Sequence, residues 1–240
     1  MCQVASMLVD AHTHFHEIPP DERAKYTGMW IIAVADDLES SAETLKLEGE
    51  HLVRCVGIHP WSVGGASSAH LDELEKLAYR GEVECIGEVG LDRRRKGFSK
   101  QLEFFRRQVK LAIDLGVPLN LHALDAWRDV LEVLDHYGAE RALFHWYSGP
   151  TSLLPELEER GYFISVNPCV VFQRKHMKAL EQASLEMLLT ESDGPYVYRG
   201  VKLEPSMVRE SLKAIAKVKG ISLAEAEELV EENLMRYLSR

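Results

Sequence analysis

The sequence predicts an α/β protein, a (β/α)8 TIM barrel with a metal site at the C-terminal ends of its strands. Three observations point there. Eight short apolar, β-branched runs alternate with helix-like segments along 240 residues, the usual size of one such barrel. Several runs are almost continuously apolar, as Met29-Trp30-Ile31-Ile32-Ala33-Val34-Ala35 is, which is how parallel strands buried on both faces read. Histidines and carboxylates recur where the runs end, and barrel enzymes carry their chemistry at those ends.

Strands are expected around Met7–Phe15, Met29–Ala35, Leu52–His59, Val83–Leu91, Val117–His122, Ala142–Trp146, Tyr162–Asn167 and Glu186–Glu191. The segments between them have helical spacing. Leu71, Leu74, Leu77 and Ala78 fall on one face, and so do Leu102, Phe105, Val109 and Ala112. Ser99 is the expected N-cap of the latter helix, Gly116 its stop, and Pro118 follows. Ser222 and Glu225 have capping-box spacing before a periodic run to Leu238. Alternating strands and helices imply parallel pairing through right-handed crossovers. Eight rounds suggest closure; an open doubly wound sheet is the alternative, and no glycine-rich nucleotide motif supports it. No linker or composition shift divides the chain, so one domain over residues 1–240 is expected.

The formal charge, 28 basic against 38 acidic residues, is −10. That disfavours broad binding to duplex nucleic acid, but bound cations can reverse the local field at a site. Cys2, Cys55, Cys85 and Cys169 form no Cys-x-x-Cys pair, and Cys55 and Cys85 read as buried free thiols, so a reducing, cytoplasmic location is expected. No run has the length of a membrane span, and the first six residues lack the marks of a signal peptide.

Strand one ends in Asp10-Ala11-His12-Thr13-His14, strand three in Gly57-Ile58-His59-Pro60, strand four in Gly87-Glu88-Val89-Gly90-Leu91-Asp92. Strands five and six end in His122 and His145, strand seven in Asn167, and strand eight runs into Glu191-Ser192-Asp193. Five of the ten histidines thus lie at strand ends. Residues i and i+2 of a strand share a face, so His12 and His14 converge from one short stretch, which suits a metal. Asp10 points the same way and is a candidate acceptor to orient a ligating histidine. Glu88 stands in an otherwise apolar strand, where an ionised carboxylate needs a partner or a metal, and it can bridge two cations. A salt bridge to a basic neighbour is the simpler reading.

His122 and His145, each alone, could be hydrogen-bonded core histidines. With His12, His14, Glu88 and Asp193 they make a set large enough for two cations. Nitrogen and oxygen ligands suit Mg, Mn or Zn without choosing among them. Asp193 could ligate, act as general base, or cap the following turn. His59 could ligate, contact substrate or pack. The run Arg93-Arg94-Arg95-Lys96 could hold phosphates at the barrel mouth or form a solvated loop; Arg199 and Lys202 are similar candidates. Trp61 and Trp146 could stack on a base or pack at the rim.

Taken together, these segments resemble the TatD family of metal-dependent hydrolases, within the amidohydrolase-like barrel superfamily. The resemblance rests on Asp10-Ala11-His12-Thr13-His14, Gly57-Ile58-His59-Pro60-Trp61, Ile86-Gly87-Glu88-Val89-Gly90-Leu91-Asp92, Leu121-His122, His145-Trp146-Tyr147-Ser148-Gly149 and Glu191-Ser192-Asp193-Gly194-Pro195-Tyr196. The tail from Lys219-Gly220-Ile221-Ser222 to Asn233 and Tyr237-Leu238 also fits, so the match spans nearly the whole chain. The resemblance implies that His12, His14 and Glu88 hold one divalent metal and Glu88, His122 and His145 a second. Asp193 would complete the first site or position the attacking water, and His59 would sit beside the substrate. Relatives include DNases that release nucleotides from DNA ends.

Three positions depart from the family's habit: Ala123-Leu124 where Ser-Arg is frequent, Leu203-Glu204-Pro205 where Asn-Glu-Pro is frequent, and Ser192 where Thr is common. They spare the implied ligands and bear on substrate choice. The expected function is therefore hydrolysis of phosphate esters by a water activated by two divalent metals, with Asp193, Glu88 and His59 catalytic. The substrate would be a DNA end or another phosphate ester, contacted by His59, Arg93, Arg94, Trp61 and Trp146. The alternatives are an amide, lactone or carboxyl-ester hydrolase and a non-catalytic metal-binding protein on the same scaffold. No membrane partner is expected, and a monomer is compatible with the sequence.

Overall fold

A computed structural model describes residues 6–239. Cys2 and the start of the chain, read above for a signal peptide, lie outside the described residues. Eight parallel strands follow one another around the sheet in chain order. They are β1 (Leu8–Thr13), β2 (Met29–Ala33), β3 (Leu52–Val56), β4 (Cys85–Asp92), β5 (Leu119–Leu124), β6 (Ala142–Phe144), β7 (Phe163–Val166) and β8 (Leu188–Thr190).

The circle closes between β8 and β1. Thr190 Oγ1 donates to the Val9 carbonyl at 2.5 Å, Asp193 N to His12 O at 2.9 Å, and His14 N to Gly194 O at 2.8 Å. The fold is thus a (β/α)8 TIM barrel. Its strands are short because the chain leaves the ladder early at the C-terminal end: His59, His145, Asn167 and Asp193 all lie beyond the last paired residue of their strand.

Helices connect the strands: α1 (Pro20–Arg23), α2 (Leu38–Thr44), α3 (Ser68–Arg80), α4 (Phe98–Leu115), α5 (Trp127–Tyr137), α6 (Leu154–Glu159), α7 (Arg174–Gln182), α8 (Val208–Lys219) and α9 (Leu223–Leu238). The Ser222–Glu225 capping box is formed at α9. Gly116 ends α4 in the left-handed conformation, as a glycine after a helix can without a Cβ penalty. The start of α4 differs from the expectation. Gly97, not Ser99, is its N-cap, because Gly97 takes φ +78° out of the preceding turn and the helix already begins at Phe98.

The strands and the inner faces of the helices share one apolar core, in which Ile32, Val56, Ile86, Leu121, Phe144 and Leu189 are buried. Burying each such side chain is worth about 1.5–3 kcal/mol. Cys55 and Cys85 face each other in register across β3 and β4, and both are buried free thiols. The short hairpin of β9 (Val197–Tyr198) and β10 (Val201–Lys202) stands after β8, at the same end of the barrel as the strand-end histidines. Among the described residues, no helix is long and apolar enough to cross a membrane.

Candidate metal centre

β4 presents Glu88 at the mouth of the barrel, and its flanking glycines follow from the crowding there. The register of β4 against β5 shifts between Ile86 and Val89. A Cβ on Gly87 would stand 2.6 Å from Asn120 Cβ, and one on Gly90 would stand 1.9 Å from the His122 carbonyl oxygen. Gly90 also has φ +146°, outside the range of L side chains. The two glycines therefore let β4 bend against β5 while Glu88 turns inward.

The two oxygens of Glu88 face different partners. Oε2 lies 3.4 Å from His12 Nε2 and 3.7 Å from His14 Nε2. Oε1 lies 3.1 Å from His59 Nε2, 2.9 Å from His122 Nδ1 and 2.9 Å from His145 Nε2. Asp193 Oδ1 joins the first group, 3.5 Å from His12 Nε2 and 3.4 Å from His14 Nε2. Every candidate ligand read from the sequence therefore gathers around one carboxylate.

The surrounding hydrogen bonds decide which nitrogens carry lone pairs. Asn120 Nδ2 donates to Ala11 O at 2.9 Å, which fixes its Oδ1 as the acceptor facing His12 Nδ1 at 2.7 Å. His12 thus holds a proton on Nδ1, and its Nε2, buried without a hydrogen-bond partner, is aimed at Glu88 and Asp193. His59 is the reverse. Its Nδ1 accepts from Trp61 N at 3.2 Å, so in the neutral ring the proton sits on Nε2 and donates to Glu88. The first pattern is that of a ligand and the second that of a proton donor. His176, also buried, accepts from Asn167 N and faces Tyr147 O, which leaves it structural.

Carboxylates back the other rings. Asp36 lies 3.0 Å from His14 Nδ1, Asp92 3.5 Å from His122 Nε2, and Glu191 3.6 Å from His145 Nδ1. None of the three was singled out as a site residue from sequence. The available signal was position, since each follows or ends an apolar strand as the histidines do. Asn120 gave a similar signal as a polar residue inside β5, two before His122. Asp10 departs from its expected role. It accepts from Ser192 N at 2.8 Å and Ser192 Oγ at 2.5 Å rather than from an imidazole, and so anchors the turn that presents Asp193. Asp193 itself has φ +58°, a left-handed conformation that Asp tolerates better than most residues.

The electrostatics fit cations. Glu88, Asp193, Glu191, Asp10 and Asp92 are buried, and among the described residues no Lys or Arg is buried with them. Burial pushes the Glu88 carboxyl up, but His59, His145 and His12 outweigh it and hold the group well below the usual range. Burial likewise favours neutral His12 and His14, and their facing carboxylates overcome it, raising both well above normal. His145, opposed by burial and by His12, is raised to about 9 by Glu88 and Glu191. Without metal the site balances its charge with imidazolium protons, so the donor set suits divalent cations that would take their place.

The centre opens into a cleft of about 550 Å³ lined by His14, His59, Glu88, His122, His145 and Asp193. Trp61, Trp146 and Arg94 also line it, whereas Arg93 does not. Both arginines are engaged with acids: Arg93 pairs with Asp129, and Arg94 lies 2.5 Å from Asp125. Arg93, expected from the sequence at the phosphates, is turned away from the cleft because the Asp129 carboxylate on α5 captures its guanidinium. Trp61 is held by a 2.6 Å hydrogen bond from Nε1 to Asp92. Arg174, Lys175 and Arg199 line the same cleft; of these only Arg199 stood out in the sequence.

Residues 9–239 match the family described as TatD related DNase. The chain is 31% identical to the human deoxyribonuclease TATDN3 over 262 residues, covering 97% of this chain and 95% of that protein. It is 29% identical to an uncharacterized metal-dependent hydrolase of Methanocaldococcus jannaschii over 244 residues, 97% of each chain. A TatD homolog from Escherichia coli has the same fold, with a TM-score of 0.87 at 24% identity over 96% of this chain and 97% of that one. With a family match over almost its whole length and the carboxylate–histidine centre at its strand ends, the chain belongs to the TatD family of metal-dependent hydrolases.

Proposed function

We propose that this enzyme cleaves phosphodiester bonds at the ends of DNA, using two divalent cations, Mg, Mn or Zn, held on either side of Glu88. The observation that carries the reading is the division of the Glu88 oxygens between two sets of imidazole nitrogens. His12, His14, Asp193 and Glu88 Oε2 would hold one cation; His122, His145 and Glu88 Oε1 the other. Cations at such a site lower the pKa of water and neutralise phosphoryl oxygens.

The chain's own groups supply the rest. Asp193 carries one oxygen toward His12 and His14, and its carboxylate is the acceptor for the proton of the attacking water. His59, neutral with its proton on Nε2, turns that N–H from Glu88 to the departing oxygen as a hydrogen-bond donor, and the oxygen takes its proton from water. Trp61 and Trp146 flank the cleft as rims for a terminal nucleotide, and Arg94 meets phosphate there when it releases Asp125. The human relative is named a deoxyribonuclease, which supports DNA as the substrate. The three buried free cysteines support a reducing, cytoplasmic location.

The test is an end-labelled single-stranded oligonucleotide incubated with metal-free protein, with and without Mg²⁺ or Mn²⁺. Stepwise loss of terminal nucleotides only when metal is added is the expected result. Intact substrate in the presence of protein shown to hold metal would contradict the assignment.

A further inference from the structure

The two walls of the cleft differ. On the side of β3 and β4, the polar and cationic groups are engaged within the protein. Trp61 is bonded to Asp92, Arg95 lies 4.2 Å over the Trp61 ring, and Arg93 and Arg94 face Asp129 and Asp125. On the side of β7 and β8 Arg199 lies 5.4 Å over the Tyr198 ring, and what differs is that the cations there meet no acid among the described residues. Arg174 and Lys175 begin α7, Arg199 sits at the tip of the β9–β10 hairpin, and all three are exposed. Among the described residues none of the three pairs with a carboxylate, in a chain whose net charge is −10.

Aromatic rings accompany these cations. Tyr198 lies 5.3 Å from Trp146 and, nearly parallel at 15°, 6.1 Å from Phe172. Tyr196 is 6.4 Å from Trp146. Phe172 is 47% exposed and Tyr196 44%, although both are large apolar rings at the edge of a polar cleft. Trp146 Nε1 is anchored to Gln173 Oε1 at 2.8 Å, which ties the ring row to the loop carrying Arg174. Alternating exposed rings and uncompensated cations are the chemistry that holds a single strand: stacking for bases, charge for phosphates.

We propose that a single-stranded polynucleotide leaves the metal centre along this wall. Its bases stack on Tyr198, Phe172 and Tyr196, and its phosphates meet Arg174, Lys175 and Arg199. Beyond the terminal nucleotide, the opposite wall does not carry the strand. The inference rests on the phosphodiesterase reading and gives it a direction: nucleotides beyond the scissile bond run over the β7 and β8 loops.

The experiment measures binding of fluorescein-labelled phosphorothioate (dT)12 by anisotropy, using metal-loaded full-length protein, as a function of salt. Three variants are compared with the parent: Tyr198→Ala, the triple Arg174→Gln/Lys175→Gln/Arg199→Gln, and Arg95→Gln on the opposite wall. Tyr198→Ala is expected to raise Kd about tenfold, as loss of one stacked base does. The triple variant is expected to lower the slope of log Kd against log salt by about 2, from three single-strand phosphate contacts. Arg95→Gln is expected to bind as the parent does.

Unchanged Kd and salt slope in the first two variants, a loss confined to Arg95→Gln, or no saturable binding by the parent overturns the path. Hydrolysis of methyl p-nitrophenyl phosphate, a diester without a base, is followed in parallel with the parent. If that ester is untouched while the binding losses hold, the phosphodiesterase reading fails and the strand-binding wall stands.

Discussion

Asn120 Oδ1 lies 2.7 Å from His12 Nδ1 and can only accept there, because the amide nitrogen of the same side chain is committed to the Ala11 carbonyl. This one contact holds the Nδ1 proton of His12 in place, so Nε2, between Glu88 and Asp193, is the nitrogen that gives up its proton to a metal. It follows that Asn120→Ala lowers divalent-metal affinity about 10–100-fold, the usual effect of losing such a partner. Asn120→Asp, which keeps the acceptor, retains most of the affinity. Competition titration with a chromophoric chelator measures both; equal affinity in Asn120→Ala and the parent would count against the tautomer argument.

Metal binding should depend steeply on pH. In the metal-free site, carboxylates keep His12 and His14 protonated well above their normal range, and His145 to about 9. Cations must displace those protons, so apparent affinity rises with pH through neutrality, with His145 giving up its proton at about 9. Calorimetry in buffers of different ionisation enthalpy should register proton release at pH 7. Affinity that is flat between pH 6 and 8 would contradict this account.

Loading should also stabilise the fold. Free metal at a hundred times Kd adds about 2.7 kcal/mol for one site, which raises Tm by about 5–11 °C in a chain of this size. Thermal unfolding with Mn²⁺ against a chelator should show at least that rise in the parent, and His12→Ala should lose the share of the site that holds His12.

Gly90→Ala and Gly97→Ala separate contact from backbone conformation. Both glycines have positive φ, but a Cβ at Gly97 meets open space whereas one at Gly90 strikes the His122 carbonyl. The Gly97 change should cost about 1–2 kcal/mol, and the Gly90 change at least about 3 kcal/mol with loss of metal binding. Urea unfolding of the two variants makes the comparison, and similar losses in both would remove the packing explanation for Gly90.

Much of this centre was legible in the sequence, for a physical reason. Parallel strands buried on both faces leave little room for polar residues, so His12, Glu88, His122 and His145 stand out against Val, Ile and Leu. The helix of residues 98–115 was legible too, apart from its first turn, where a glycine conformation replaced the hydroxyl cap. Less legible was which polar group serves which. Asp10 and Asn120 are both polar residues in apolar strands, yet Asn120 orients the histidine and Asp10 clamps Ser192. That outcome depends on how β1, β5 and β8 meet across the barrel. The cationic wall was obscured for a similar reason: Arg93-Arg94-Arg95-Lys96 is the denser run, but Asp129 on α5 and Asp125 in the turn before it capture Arg93 and Arg94, and the sparser Arg174, Lys175 and Arg199 meet no acid among the described residues.

The central claim is that one carboxylate, Glu88, joins two cation sites. The most direct measurement is metal stoichiometry by titration of metal-free parent and Glu88→Gln with Mn²⁺, with phosphodiester turnover followed in the same samples. Two equivalents per chain in the parent, with affinity at both sites weakened and turnover reduced by at least about a hundredfold in the variant, is the predicted result. A Glu88→Gln protein that binds two equivalents as tightly as the parent and turns over as fast would contradict it.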